Sequence, residues 1–97
     1  MAKEATIKKR GVQRLEKEGY LTWCPPNVRY AQTDVFGIFD CLAVKDSEVR
    51  YIQWTSRSNI SARKRKIENT FEEHKIFIGC EVWGYDDKLK EFKIIHI

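Results

Sequence analysis

The stretch that decides the fold is Val35–Thr55, VFGIFDCLAVKDSEVRYIQWT. Val35–Val44 is almost wholly apolar, Val49–Thr55 is rich in β-branched and aromatic residues, and Lys45-Asp46-Ser47-Glu48 lies between them. That pattern predicts two strands of a β-hairpin. With the turn centred between Asp46 and Ser47, Val44 faces Val49, Leu42 faces Tyr51 and Asp40 faces Gln53. A carboxylate and a carboxamide then stand side by side on one face, with Cβ atoms about 4.5–5.5 Å apart. Thr55, two residues beyond Gln53, belongs to that face as well.

Working outward, Ala5–Glu18 carries Ile7, Gly11 and Leu15 four apart among charged residues, which predicts an amphipathic helix stopped at Gly19. Tyr20–Cys24 reads as a short strand broken by Pro25-Pro26-Asn27, with a loop or irregular strand end from there to Thr33. Beyond the hairpin, Ser58 or Asn59 is placed to cap a second helix over Ile60–Glu73. Its apolar stripe is Ile60, Ile67 and Phe71, with Lys64 read into it and aimed at the sheet. Lys75–Tyr85 and Glu91–Ile97 read as strands joined by a turn at Asp86-Asp87-Lys88. The expected order is helix, three strands, helix, two strands, an α/β fold with a mixed central sheet flanked by helices. A right-handed crossover puts the fourth strand parallel to the third.

A chain of 97 residues with three Trp, five Phe and four Tyr is one domain with a packed core. The net charge of +4 is local. Arg57, Arg63, Lys64, Arg65 and Lys66 fall within one ten-residue stretch without an acid, and outside it acids outnumber bases by one. No apolar run approaches the roughly 18 residues of a membrane span, and the first ten residues lack the apolar segment of a signal peptide. An intracellular, cytoplasmic protein with no membrane partner is expected. The three cysteines, Cys24, Cys41 and Cys80, are scattered, with no C-x-x-C pair and no histidine at ligand spacing, so free thiols in a reducing compartment are expected.

Asp40 needs explaining, because a carboxylate in a greasy strand is costly without a partner. It either takes part in an Mg²⁺ (or Mn²⁺) site, with the Gln53 carbonyl or the Trp54 main-chain oxygen completing the set, or bonds only to Gln53, Thr55 or a backbone amide. Asp34 reads as a turn residue and Glu81 as an outward-facing strand residue. Trp23, Trp54 and Trp83 read as core, and His74 and His96 have no companion ligands.

The segments KKRGVQRLEKEGYL, GIFDCLAV and YIQWTS, in this order, resemble the first helix, second strand and third strand of the PD-(D/E)XK nuclease superfamily, the fold of restriction endonucleases and archaeal Holliday junction resolvases. The resemblance implies a restriction-endonuclease-like fold and Mg²⁺-dependent cleavage of DNA, with Asp40 and Gln53 at the metal and Lys64 in the lysine's role on the following helix. Gln53 stands where the family usually has a carboxylate and Thr55 where it has lysine. Glu4 is the only acid early in the first helix. A homodimer is expected, since cutting a duplex takes two centres. The basic run suits a phosphate backbone, with Arg57, Arg63, Arg65 and Lys66 as contacts. The other expectations are a nuclease-fold domain that binds nucleic acid without cutting it, and a protein-interaction domain.

Overall fold

The structure, a computed structural model, describes residues 4–26, 35–36 and 38–97. Helix α1 spans Glu4–Lys17 and is followed by strands β1 (Leu21–Trp23), β2 (Cys41–Lys45) and β3 (Glu48–Ser56). A 3₁₀ turn, Arg57–Asn59, leads into helix α2 (Ile60–His74), and β4 (Glu81–Asp86) and β5 (Glu91–His96) complete the chain. The five strands form one sheet in sequential order, antiparallel except where β3 and β4 run parallel. The α/β class and the mixed sheet agree with the sequence. No helix among the described residues is long and apolar enough to cross a membrane.

Helix α1 buries Ile7, Gly11 and Leu15, the stripe visible in the sequence. It ends in a Schellman motif at Gly19. The Tyr20 N–H bonds to the Leu15 carbonyl and the Gly19 N–H to that of Glu16, both at 3.0 Å, with Gly19 at φ +95°. Helix α2 closes the same way on Lys75, a left-handed residue with a side chain, where Ile76 N–H reaches the Phe71 carbonyl at 3.0 Å.

The β2–β3 register is the one the hairpin turn requires. Val44 pairs with Val49, and Leu42 with Tyr51. The apolar run before Asp40, however, is not extended. Val35 and Phe39 close a tight turn through N–H···O bonds of 2.8 and 3.0 Å, with Phe36 at φ +56°. A run without alternation reports burial, not extension, and consecutive Ile38 and Phe39 are both buried here. Likewise β4 starts at Glu81 and not at Lys75. The expected loop after Pro26 and the reading of Asp34 lie outside the described residues.

Alternation along the strands gives the sheet two apolar faces. Ile52 and Trp54 of β3, Cys41 and Ala43 of β2, and Trp83 and Tyr85 of β4 pack with Ile7 and Leu15 of α1. On the other face, Val82 and Cys80 pack with Ile60, Ile67 and Phe71 of α2, and with Ile38 and Phe39. One helix therefore covers each face of the sheet.

Helix α1 approaches the sheet closely at Gly11, where a Cβ would lie 2.3 Å from the Trp54 ring. Gly11→Ala, ordinarily helpful in a helix, is expected to destabilise the protein by about 1–3 kcal/mol through overpacking. Urea denaturation read by tryptophan fluorescence measures it, and an unchanged midpoint would contradict this packing.

Candidate functional site

Asp40 sits immediately before β2, its N–H bonded to the Ile52 carbonyl at 2.9 Å. Its Oδ2 accepts the Trp54 main-chain N–H at 2.8 Å and Gln53 Nε2 at 3.2 Å. The side-by-side carboxylate and carboxamide expected from the register are therefore present. An ionised carboxylate only accepts, so Gln53 must turn its NH₂ toward Asp40 and its carbonyl away. Gln53 and Thr55 are both buried. Of the two explanations for Asp40, the hydrogen-bonded one is visible in these contacts.

Asp40 and Trp54 also form part of the wall of a cavity of about 720 Å³ on the α1 side of the sheet. Glu4, Lys8, Lys9 and Gln13 of α1 line it, together with Pro25. Lys8 and Lys9 were not expected at the site. Their signal lay in the 3.6-residue period, which sets Lys8 one turn beyond Glu4.

Lys64 is not in that wall. It is exposed on α2, and the half-buried basic residue beside the apolar stripe is Arg63. The inward positions run Ile60, Arg63, Ile67, Thr70 and Phe71, which leaves Lys64 one position off the stripe and corrects the expectation that it aims at the sheet. Arg65 and Lys66 are exposed. Arg57 finds an acid outside the run, its Nη1 lying 2.6 Å from Asp86 Oδ2. That bond, with the Leu89 and Lys88 N–H groups, holds the Asp86 carboxyl below its usual value.

Two further expectations are corrected. Cys24 and Cys41 form a disulfide. The β1–β2 register pairs Trp23 with Leu42, so the next residues along, Cys24 and Cys41, are direct cross-strand neighbours with Cα atoms 4.2 Å apart. Sequence spacing concealed that pairing because the two cysteines are 17 residues apart in the chain. Cys80 remains free and buried, and burial, reinforced by the Glu81 charge, pushes its thiol up to about 11.

Glu81 does not face outward. It is buried on the α1 face and bonded to two nitrogens of the Arg50 guanidinium, Nε at 2.8 Å from Oε2 and Nη2 on Oε1. Trp83 Nε1 donates to Oε1 at 3.0 Å, and the Arg50 guanidinium lies over the rings of Tyr20 and Trp83. Burial pushes the Glu81 carboxyl up, but the hydrogen bonds from Arg50 and Trp83 outweigh it and the net shift is downward. The same bond holds Arg50 above the ordinary arginine value.

No family model matches the chain, and no significant match exists among curated proteins or solved structures.

A depressed carboxyl in the folded state stabilises fully above its unfolded value of about 4.3, and the contribution disappears as pH falls through the folded value. Stability is therefore expected to fall below about pH 4. Glu81→Gln should cost about 3–5 kcal/mol at pH 7, because it strands the Arg50 charge, and should flatten the acid-side decline. Urea melts at a series of pH values test both. Parallel acid limbs in parent and variant would remove Glu81 from the explanation.

Proposed function

We propose that the chain is a metal-dependent DNA endonuclease of the restriction-endonuclease-like fold, with Asp40 as the central carboxylate. The observation that carries this reading is the contact of Asp40, just before β2, with Gln53 of β3, where Asp40 also stands in the wall of a cavity that Glu4, Lys8 and Lys9 line. The order of helices and strands and the β2–β3 register support it.

The residues suit Mg²⁺ in kind, since that ion takes one or two carboxylates and fills its remaining positions with water and phosphate oxygen. Asp40 would supply one carboxylate and Glu4, on the same cavity, is a second. The Trp54 carbonyl is a further oxygen, since N–H and C=O of one strand residue leave on the same edge and its N–H points to Asp40. Bound there, the ion would lower the pKa of a water and offset charge on the phosphodiester.

Gln53 and the Trp54 N–H fix the orientation of Asp40, so Gln53 is a positioning residue. Lys8 and Lys9 bring positive charge to the cavity where the lysine of the family pattern is replaced by Thr55. Lys64, on the other helix, joins Arg63, Arg65 and Lys66 as a phosphate contact, whereas Arg57 is already paired with Asp86. Cutting both strands of a duplex takes two such centres, so the working species is a homodimer inside the cell.

A second reading, nucleic-acid binding without cleavage, is favoured by two observations. Asp40 Oδ2 accepts two protein hydrogen bonds, and no group of three or more His, Cys, Asp or Glu residues suited to a metal occurs among the described residues.

Nicking of supercoiled or branched DNA in Mg²⁺ or Mn²⁺ should fall to background in Asp40→Asn, which keeps an acceptor for the Trp54 N–H and removes the charge. Binding without cleavage in any divalent ion would select the second reading. Neutralising Arg63, Arg65 and Lys66 together should lower the slope of log K against log salt by about 2–3. An unchanged slope would assign the basic run to solvated surface.

A further inference from the structure

We propose that the Cys24–Cys41 bridge is a thiol–disulfide exchange site, opened by a dithiol reductant, that clamps the Pro25 wall of the cavity against the start of β2, next to Asp40. Its chemistry stands apart from the proposed nuclease reading, and only its effect on cleavage rests on that reading.

The two sulfurs are placed differently. Cys24 is half-buried and lies just past the end of β1, whereas Cys41 is fully buried against α1. An incoming thiolate can therefore reach Cys24 Sγ and not Cys41 Sγ. Attack at Cys24 makes Cys41 the leaving sulfur, and that sulfur already accepts the Trp54 indole N–H at 3.1 Å. A donor on the departing sulfur stabilises the thiolate, and a leaving thiol of lower pKa departs faster.

The exchange balances in two steps. One thiolate of the reductant attacks Cys24 Sγ, the Cys24–Cys41 bond breaks, and the electron pair leaves on Cys41. The second thiolate of the reductant then attacks its own mixed-disulfide sulfur and releases Cys24. The reductant ends as its internal disulfide, and Cys24 and Cys41 each gain an electron and a proton. Cys80 stands outside this chemistry, buried on the opposite face of the sheet among the α2 contacts.

Each cysteine is one residue from the site. Cys41 follows Asp40, and Cys24 precedes Pro25 in the cavity wall. Strand β1 is only three residues long and pairs with β2 alone, so the bridge is the covalent tie at the end of a short edge strand. With the bridge open, Pro25 is no longer held to β2, and the Asp40 bond to the Trp54 N–H loses the tether beside it.

The test uses the full chain purified without reductant and then treated with dithiothreitol, with circular dichroism to confirm that the fold persists. Thiol titration in denaturant should count one thiol before reduction and three after. Glutathione trapped during reduction should appear on Cys24, and the Trp54 amide should exchange hydrogen about tenfold faster in the reduced protein. The double variant Cys24→Ser/Cys41→Ser should exchange at the reduced rate with or without reductant. Three thiols in the untreated protein after exposure to oxidised glutathione, glutathione on Cys41, or an unchanged Trp54 exchange rate would each overturn the proposal. Absence of nicking in both redox states, with the thiol and exchange results intact, would count against the nuclease reading alone.

Discussion

Trp54 is the point through which the parts of this molecule meet. Its ring lies against the backbone of α1 at Gly11 and stacks edge-on against Trp83, with centroids 5.3 Å apart. Its indole N–H reaches Cys41 and its main-chain N–H reaches Asp40. One residue of β3 thus sets the height of α1 above the sheet, touches the bridge to β1 and orients the carboxylate of the site. Aromatic pairs in such offset geometry contribute about 0.5–1.5 kcal/mol beyond area burial, and the indole donor is satisfied as a buried Trp requires. The position also explains why a glycine occurs inside an otherwise charged helix. Any side chain at residue 11 would displace the ring that everything else touches.

On the same face the fold tolerates a buried ion pair. Arg50 and Glu81 have side chains 16% and 7% exposed, and desolvating two charges costs as much as their attraction returns unless the remaining donors and acceptors are filled. Here Trp83 fills one carboxylate oxygen, and the guanidinium faces aromatic rings on two sides. The pair links β3 to β4, the only parallel neighbours in the sheet, where the register has no hairpin turn to fix it. A buried bidentate contact at one position excludes slipped alignments that hydrophobic contacts alone would permit, since a slip would leave both charges unpaired.

The fold was legible wherever a period could be counted. Ile7, Gly11 and Leu15 gave α1, Ile60, Ile67 and Phe71 gave α2, and the hairpin turn gave a register that the structure repeats from Lys45–Glu48 to Cys41–Ile52, with Asp40 just beyond the ladder. The failures share a cause, which is that local pattern does not report tertiary partners. Ile38 and Phe39 are consecutive apolar residues because both are buried among the α2 contacts, and Glu81 looks outward-facing until Arg50 is seen across the strand. Cys24 and Cys41 become neighbours only through the pairing of β1 with β2. For Lys64 the counting itself was too coarse, since a difference of one residue rotates a side chain by about 100°. Of the candidate site, Asp40 and Gln53 were legible from register, while the helical period that sets Lys8 one turn beyond Glu4 does not say which polar face of α1 overlooks Asp40.

The parallel step also settles where charge collects. Strand β3 ends at Ser56 and the 3₁₀ turn delivers the chain directly to the start of α2, so the N-terminal turns of α2 lie by the carboxyl end of β3. Glu4, Lys8 and Lys9, from the first turns of α1, share a cavity wall with Asp40 and Trp54 near that end. Both helices therefore begin toward the same edge of the sheet, one on each face. Helix N-termini carry partial positive charge and unpaired N–H groups, and in α/β sheets the carboxyl ends of strands are where ligands bind. The positive charge of Lys8 and Lys9 and the carboxylate of Asp40 therefore come together at that end of the sheet, on the wall of one cavity.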